Sequence, residues 1–291
     1  MITLLSDFGS KDVYVAVMKG AIASIVPDVV TCDLTHAIAP QDVLAARFAL
    51  MMAYPYFPVG TVHVAVVDPG VGSARRAVAV QWAGGFLVGP DNGLFSGVLA
   101  SEPILAAVAL TNADYWRSPL SNHSSHWPSL PISHTFHGRD IFAPAAAHLA
   151  SGVPIDALGD RIDPNTLVQP QLPPFSQLLQ PSSYPLKSDQ TLCAGSIQYI
   201  DGFGNLISNI PQSAVPPVPW QIELETPLTT HRLPAASTYS DVSAGELLAL
   251  GGSHGWVEIA CSCRSAAAAL ENSGGVCVGT PVKMLMATDM T

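Results

Sequence analysis

An aspartate and two arginines lie at the end of a stretch rich in β-branched residues. Residues 61–67 read Thr-Val-His-Val-Ala-Val-Val, and the run ends at Asp68, which a Pro-Gly pair holds in a turn. Open α/β sheets bind ligands at the carboxyl ends of their strands, so Asp68 occupies the position of a ligand-binding carboxylate. Arg75 and Arg76 follow closely enough to reach back to it. The alternative is a capped turn with a solvated arginine pair.

Two further side chains have positions suited to chemistry. Asp7 comes directly after a predicted short strand over 2–6, and His137 stands just before a glycine and a predicted helix over 141–150. The amide groups at such a helix start point at whatever binds there. Each position also has a structural interpretation: Asp7 as a turn residue, Asp12 as a helix N-cap, and His137 as a capping or core residue.

Alternating strands and helices would position these side chains. Apolar periodicity predicts strands over 2–6, 29–34 and 61–68, separated by helices that start at Asp12 and Gln41. This order predicts an α/β fold with a mostly parallel sheet and right-handed crossovers. If the first and third strands are parallel neighbours, the aspartates at their ends face one crevice. Further predicted elements are a hairpin over 76–82 and 85–88, a helix over 94–99 and a strand over 104–110.

The second half of the chain has a different pattern. Residues 117–133 read as a surface excursion, and residues 152–190, rich in Pro, Ser and Gln, read as a connection between domains. The predicted domains are therefore 1–170 and 190–291. The second is smaller and mostly β, with short strands predicted over 191–200, 206–210, 221–225, 247–250, 257–260 and 276–286.

Composition narrows the class of protein. Hydrophobic residues make up 48% of the chain and charged residues only 12%, which implies sizeable cores and fits a subunit that buries surface against copies of itself. A net charge of −10 argues against nucleic-acid binding. No apolar run approaches the ~20 residues of a membrane span, and the N-terminus lacks the basic region of a signal peptide. Five cysteines without a Cys-x-x-Cys motif fit reduced thiols, so a cytoplasmic location is expected.

Other chemistries have weaker support in the sequence. The pairs His123/His126 and His134/His137 have the spacing of metal ligands on a helix, but they lie in a Ser- and Pro-rich stretch without a His-Glu-x-x-His motif. A metallohydrolase is thus the main rival class, and no metal is expected. The chain lacks the Lys of a P-loop, a strand followed by Gly-x-Gly-x-x-Gly, and the Gly-x-Ser-x-Gly elbow of serine hydrolases.

Ordered motifs extend over nearly the whole chain. They are Ser6-Asp7-Phe8-Gly9, Met18-Lys19-Gly20, Val67-Asp68-Pro69-Gly70-Val71-Gly72, Gly89-Pro90-Asp91-Asn92-Gly93, Thr135-Phe136-His137-Gly138-Arg139-Asp140, Asp201-Gly202-Phe203-Gly204-Asn205, Gly252-Ser253 and Glu258-Ile259-Ala260. This set resembles the S-adenosyl-L-methionine hydroxide adenosyltransferases, relatives of the bacterial fluorinase and chlorinase. The resemblance implies an N-terminal α/β domain, a β-barrel-like C-terminal domain and a homotrimer. The substrate would lie between the N-terminal domain of one subunit and the C-terminal domain of its neighbour.

The resemblance also implies a reaction. Water or hydroxide would attack the ribose 5′ carbon of S-adenosyl-L-methionine in line with the departing sulfur, giving adenosine and L-methionine without a cofactor. Asp68, Arg75 and His137 would be the triad that orients and activates this water, with Arg75 keeping Asp68 ionised. Halogenating relatives lack the triad, which favours water over halide.

Substrate-binding roles carry over by the same resemblance. Asp7 would bind the ribose diol, and Asp12 and Asp201 would bind the methionine ammonium group. Phe203 and Asn205 would contact adenine, the first by stacking and the second by edge hydrogen bonds.

Three more residues are implied at the two ends of the substrate. Tyr239 and Glu258 are candidates for the nucleoside end, and Ser253 for the methionine carboxylate. Halogenating relatives have Arg at the next position, where this chain has His254; the carboxylate then loses a bidentate partner, and its affinity can depend on pH. Two alternatives to a hydrolase stay open: a nucleoside- or S-adenosyl-L-methionine-binding protein with negligible turnover, and a halogenase that uses the same substrate.

Overall fold

The structure is a computed structural model that describes residues 1–117, 131–178 and 190–287. Most of the predicted excursion over 117–133, and residues 179–189 of the predicted connection, lie outside the described residues. The chain divides into two compact units, residues 1–170 and residues 171–291. The two units are described separately below.

The described residues of the first unit form seven strands and four α-helices. The strands are β1 (Ile2–Ser6), β2 (Thr31–Thr35), β3 (Thr61–Val66), β4 (Ala77–Trp82), β5 (Gly85–Pro90), β6 (Ile104–Ala109) and β7 (Asp160–Arg161). The helices are α1 (Tyr14–Ala23), α2 (Val43–Ala53), α3 (Ser96–Leu99) and α4 (Ala143–Ala150). A π-helical turn, Gly138–Phe142, leads directly into α4. Short 3₁₀ turns cover Tyr54–Tyr56, Ala113–Tyr115, Ile155–Leu158 and Pro164–Thr166.

The seven strands form one sheet in the order β2-β1-β3-β5-β4-β6-β7. The pairs β1–β2, β1–β3 and β3–β5 are parallel, whereas β4 runs antiparallel to both of its neighbours and β7 runs antiparallel to β6. Five strands therefore share one direction, and the predicted mostly parallel α/β sheet is confirmed.

The β-branched run of β3 is buried on both faces of this sheet. Val62, Val64 and Val66 belong to the apolar cluster that contains the buried side chains of α1 and α4. Ala65 and Val67 belong to the cluster that contains α2 and α3. Because successive side chains of a strand point to opposite faces, the run supplies both layers of the core at once.

The predicted starts of the first helix and of the second strand differ from the structure. The first helix begins at Tyr14, with Val13 as its N-cap and no capping bond from a side chain, so Asp12 is an exposed residue before the helix. The second strand begins at Thr31, because Val29 donates its backbone N–H to Val26 and stays in the turn after α1.

In the second unit, the part of the chain that the structure describes forms eight strands and one short α-helix. The strands are β8 (Ser176–Gln177), β9 (Thr191–Ile200), β10 (Leu206–Pro211), β11 (Trp220–Glu225), β12 (Thr230–Pro234), β13 (Leu247–Gly251), β14 (Trp256–Cys261) and β15 (Pro281–Met286). The helix is α5 (Ala266–Ala269), and 3₁₀ turns cover Gln212–Ala214, Tyr239–Asp241 and Glu271–Ser273.

These strands form an antiparallel sheet in the order β12-β11-β15-β9-β10-β14-β13, with β8 on the side of β9. A bridge between Ala235 and Ala249 joins the two ends of the order, and Ala236 donates its N–H to the Ala249 carbonyl over 2.8 Å. The sheet is thus nearly closed around an apolar core, and the predicted barrel-like β fold is confirmed.

Sequence reasoning found six of these strands and misplaced the start of the last one. The final strand begins at Pro281 and not at 276, since Cys277 and Thr280 are joined in a turn by their backbone groups. In the first unit as in the second, no helix among the described residues is long and apolar enough to cross a membrane.

A buried histidine lies in the central strand of the first unit. The His63 side chain is 2% exposed, its Nδ1 lies 2.7 Å from the Thr3 hydroxyl, and its ring stacks on Trp82 with centroids 5.8 Å apart. Burial lowers the pKa of His63 to about 4. The folded protein therefore holds this side chain neutral at pH values where the unfolded chain is protonated.

We expect the free energy of unfolding to fall as the pH is lowered from about 6.5, the ordinary value of an unfolded histidine, to about 4. Over this pH window the unfolded chain binds a proton at His63 and the folded chain does not. His63 therefore lowers the free energy of unfolding by about 3 kcal/mol across the window. Urea unfolding at several pH values measures it. The His63→Gln variant keeps a hydrogen-bonding side chain without titration, so its stability should depend less on pH; an unchanged pH dependence would contradict the assignment.

Candidate active site

A cleft of about 420 Å³ opens in the first unit at the carboxyl ends of β1 and β3. Ser6 pairs with Val66 in the parallel register of these strands, so the chain leaves both strands at the same edge of the sheet. Asp7 follows β1 directly, and Asp68 follows β3 after one further residue. Both aspartates line the cleft, as their placement on neighbouring parallel strands predicts, and His137 lines it with them.

Arg75 lies between Asp68 and His137. Its Nε donates to both carboxylate oxygens of Asp68, at 2.9 and 3.1 Å, and its Nη2 also donates to Oδ2. The same Nη2 lies 2.8 Å from Nδ1 of His137. The Arg75 and Asp68 side chains are only 11% and 6% exposed, so water screens their ion pair weakly.

This contact assigns the tautomer of His137. A guanidinium can only donate, so Nδ1 of His137 must accept and the ring proton must lie on Nε2. Burial lowers the pKa of His137, and the Arg75 charge lowers it further, which together outweigh the raising effects of Asp68 and Asp140. His137 is therefore a neutral ring with a donor at Nε2. The structure places Arg75 in contact with both Asp68 and His137.

The buried ring of Phe142 packs against both Arg75 and His137. Phe142 is fully buried; the Arg75 guanidinium lies 5.3 Å from its ring centroid, and the His137 ring packs edge-on to it at 6.4 Å. Phe142 ends the π-helical turn that follows His137. Such turns often occur at functional sites. Here the turn brings the Phe142 ring into contact with Arg75 and His137, two members of the predicted triad.

Asp140 holds the same turn in place. Its fully buried carboxylate accepts hydrogen bonds from Arg117 Nε at 2.5 Å, from Arg139 Nε at 2.5 Å and Nη2 at 2.8 Å, and from the Ser133 N–H at 2.7 Å. Burial alone would raise the pKa of Asp140, but the bonds from Arg139 and Arg117 outweigh it and lower the pKa. His137 thus stands on a turn that is fixed by charge-assisted hydrogen bonds.

Sequence reasoning missed Gln41, which also lines the cleft. Its φ of 68° lies in the left-handed region, which is costly for a residue other than glycine, and its N–H donates to Asp7 Oδ2 over 2.8 Å. A hydrogen bond from the backbone thereby orients Asp7. No signal in the sequence marks this position, because glutamine is not a residue that favours left-handed backbone.

Three aromatic residues of the cleft were also not assigned from the sequence. Phe8, Tyr14 and Phe136 line it together with the polar side chains. Two of them stand next to residues that were assigned, Phe8 beside Asp7 and Phe136 beside His137. Their position beside Asp7 and His137 is the sequence signal that marks Phe8 and Phe136 as cleft residues.

In the second unit, three of the predicted nucleoside-binding residues share a second cleft. Phe203, Asn205 and Tyr239 line a space of about 390 Å³, together with Cys261, Cys263 and Arg264. Phe203 is 82% exposed, so its ring is available for stacking.

Asp201 has a structural task beside its predicted role. Its Oδ1 accepts the N–H groups of Phe203 and Asn205, at 2.9 and 2.8 Å, and its Oδ2 accepts from the Asn205 side chain at 3.1 Å. The carboxylate therefore holds the turn that presents these two residues. A methionine ammonium group would have to share oxygens that already accept three hydrogen bonds.

Glu258 joins two of the other candidates. This 4% exposed carboxylate accepts from the Tyr239 hydroxyl at 2.8 Å and lies 3.0 Å from Nε2 of His254. Burial and the bond to Glu258 raise the pKa of Tyr239 to about 12, so Tyr239 is a hydrogen-bond donor at neutral pH. Ser253 is exposed in the turn between β13 and β14. The predicted residues Asp12, Asp201, Ser253 and Glu258 are not among the described residues that line either cleft, and the binding roles of all the predicted site residues stay predictions.

Comparisons with known proteins agree with one another. Residues 2–159 match the family model of the SAM hydroxide adenosyltransferase N-terminal domain, and residues 195–278 match that of its C-terminal domain. The chain is 39% identical to an (R)-S-adenosyl-L-methionine hydrolase of Thermus thermophilus over 97% of this chain and 98% of that one, and 38% identical to a hydrolase of the same name from Salinispora tropica over 89% of each. A fluorinase of Nocardia brasiliensis is 27% identical over 97% of each chain.

A solved structure has the same fold. An uncharacterised conserved protein from Thermotoga maritima superposes with a TM-score of 0.80 at 30% identity, covering 98% of this chain and 100% of that one.

We expect the Arg75→Met variant to raise the pKa of His137, which a titration of the ring by NMR measures. Removing the guanidinium takes away a positive charge 2.8 Å from Nδ1 and leaves Asp68 to favour the protonated ring. Arg75→Lys keeps the charge and should keep the pKa low, whereas Asp68→Asn should lower it further. If the pKa of His137 stays the same in Arg75→Met, the Arg75–His137 contact is not what sets it.

Proposed function

The chain belongs to the SAM hydroxide adenosyltransferase family, and we propose that it hydrolyses S-adenosyl-L-methionine to adenosine and L-methionine through Asp68, Arg75 and His137. Relatives with 38% and 39% identity carry the name of this hydrolase. The observation that supports the catalytic roles is the chain of contacts from Asp68 through Arg75 to His137, whose two end members, Asp68 and His137, line a cleft at the strand ends.

The charge of the substrate makes departure of its leaving group easy. Its sulfur is a cationic sulfonium, so methionine departs as a neutral thioether without a general acid. We therefore propose that neither a metal nor another cofactor takes part. What remains is to align one water molecule behind the 5′ carbon, opposite the C–S bond, and to accept its proton.

The geometry supports two complementary contacts to that water. The neutral His137 ring donates from Nε2 to a water oxygen, and the Asp68 carboxylate accepts a water proton. Asp68 is paired with Arg75 through both of its oxygens, and a carboxylate is a weak base. A weak base is sufficient, because the attacking water becomes strongly acidic as its oxygen bonds to carbon. Arg75 thus holds both partners of the water in place and does not itself move a proton.

Substrate contacts are proposed from the family resemblance and the two clefts. Asp7, oriented by Gln41, binds the ribose diol, and Phe203 and Asn205 bind adenine. Tyr239 is a donor on the same cleft, and Glu258 fixes its hydroxyl. At the methionine end of the substrate, Asp12 and Asp201 bind the ammonium group and Ser253 binds the carboxylate.

We propose further that the active enzyme is a cytoplasmic homotrimer with sites shared between subunits. The family resemblance implies the trimer. The 82% exposure of Phe203 in the single chain supports a site that a second subunit completes. All five cysteines lie among the described residues and are free, which supports a reducing compartment.

Incubation of the purified protein with S-adenosyl-L-methionine in ¹⁸O-labelled water tests the reaction. We expect adenosine and methionine in equal amounts, with the label at the 5′ oxygen of adenosine, because water attacks that carbon. The control omits the protein and measures spontaneous decay. Tight binding without adenosine above this control would exclude the hydrolase; a 5′-halogenated nucleoside formed in chloride would instead indicate a halogenase.

We expect Asp68→Asn to lower the turnover rate by about 10²–10⁴-fold, since the water loses its proton acceptor while the shape of the turn is kept. Adenosine affinity should change little, because Asp7, Phe203 and Asn205 hold the nucleoside. His137→Ala should behave similarly, and the double variant should lose far less than the product of the two effects. A rate within about threefold of the wild type for Asp68→Asn would show that Asp68 only closes a turn.

The same variant tests the shared site. Asp68→Asn subunits are co-expressed with subunits that carry Asn205→Ala, and mixed oligomers are purified through two different tags. If a site takes its first unit and its second unit from different chains of a trimer, about a third of the sites in the purified mixed trimers contain two intact units, and activity returns to that extent. Mixed oligomers without recovered activity would contradict a site shared between subunits.

A further inference from the structure

The aromatic side chains of the first cleft form one cluster. The Phe8 and Tyr14 ring centroids are 5.7 Å apart, those of Phe8 and Phe136 5.8 Å, and those of Tyr14 and Phe136 5.3 Å. Three separate segments of the chain contribute them: the loop after β1, the start of α1 and the segment before the π-helical turn. All three rings line the cleft that Asp68 and His137 also line.

Core packing alone does not account for these rings. Tyr14 is 47% exposed, and Phe8 and Phe136 are only partly buried, whereas Phe142 next to them is fully buried. The two pairs with Phe136 are edge-to-face, at 80° and 90°. The rings therefore present accessible aromatic surface at the rim of a cleft.

The cluster already contacts one cation. The Arg139 guanidinium lies 5.2 Å from the centroid of Phe136, within the range of a cation–π contact, and Asp140 neutralises its charge. Phe8 and Tyr14 remain as the rings that a cationic ligand in the cleft can approach. The substrate of the proposed reaction is such a ligand, since its sulfonium carries a positive charge spread over the attached carbon atoms.

We propose that Phe8 and Tyr14, held by their packing on Phe136, bind the sulfonium of S-adenosyl-L-methionine through cation–π contacts and thereby select the cationic substrate over neutral thioethers. This inference rests on the proposed function of the cleft. The contact exists only while sulfur bears its charge. When the C–S bond breaks, the sulfur of methionine is neutral and the attraction ends, so the cluster favours binding of the substrate over retention of the product.

A kinetic consequence distinguishes this role from a structural one. The sulfonium charge decreases on the way to the transition state, so the rings stabilise the bound substrate more than the transition state. Removing a ring should therefore raise KM and leave kcat unchanged or slightly higher. A variant that merely distorts the site would lower kcat.

Equilibrium binding to the Tyr14→Leu variant tests the inference, with S-adenosyl-L-methionine, its neutral thioether analogue S-adenosyl-L-homocysteine, and adenosine as probes. Binding of the first is measured in the Asp68→Asn background, where turnover is slow. We expect affinity for the sulfonium to fall by about three- to thirtyfold, the range of a cation–π contact. Affinity for the two neutral ligands should change by less than about twofold. Tyr14→Phe keeps the ring and should bind all three like the parent.

Equal losses for the cationic and the neutral ligands would overturn the inference, as would a Tyr14→Phe variant as weak as Tyr14→Leu, or no change for any ligand. Circular dichroism checks that Tyr14→Leu is folded. If it is not, Phe8→Leu replaces it with the same expected selectivity. The binding ratio does not depend on turnover, so a wild-type protein that makes no adenosine would refute the proposed function without deciding this question.

Discussion

The parallel pairing of β1 with β3 is the constraint on which the site depends. Residues 2–6 lie in register with 62–66, and both strands are buried from end to end. Because both strands end at the same edge of the sheet, Asp7 and Asp68 line one cleft. The helices that close one face, α1 and α4, contribute Tyr14 and the turn that carries His137. Burial of the β-branched run thus organises the polar site above it.

The charged and polar groups of the site surround the Arg75 guanidinium, a cation that does not react. A poorly exposed ion pair is costly to desolvate and stabilises a protein only when its geometry is good. Arg75 meets this condition by using two nitrogens on Asp68 and by resting on the ring of Phe142. The same guanidinium assigns the ring proton of His137. One rigid side chain therefore binds the acceptor and assigns the tautomer of the donor.

The predictable parts of the molecule are those with local signals. The run in β3 and the Gly-rich turns placed the parallel sheet and Asp68 correctly, since periodicity and turn chemistry act over a few residues. β12 was missed because its Thr-His-Arg-Leu-Pro sequence buries only Leu233. The left-handed backbone of Gln41 donates a hydrogen bond to a residue 34 positions away, and the contact of Arg75 with His137 spans 62 positions. Such features follow from tertiary structure and have no local pattern.

The buried carboxylate of Asp140 has a consequence for how this chain can change over generations. It binds Arg117 and the backbone of Ser133, so it ties together the two ends of the segment that those residues bound. The position of the turn that follows His137 is thus held by contacts to Arg117 and Ser133 themselves. Sequence changes between these two residues that keep both contacts leave the histidine in place.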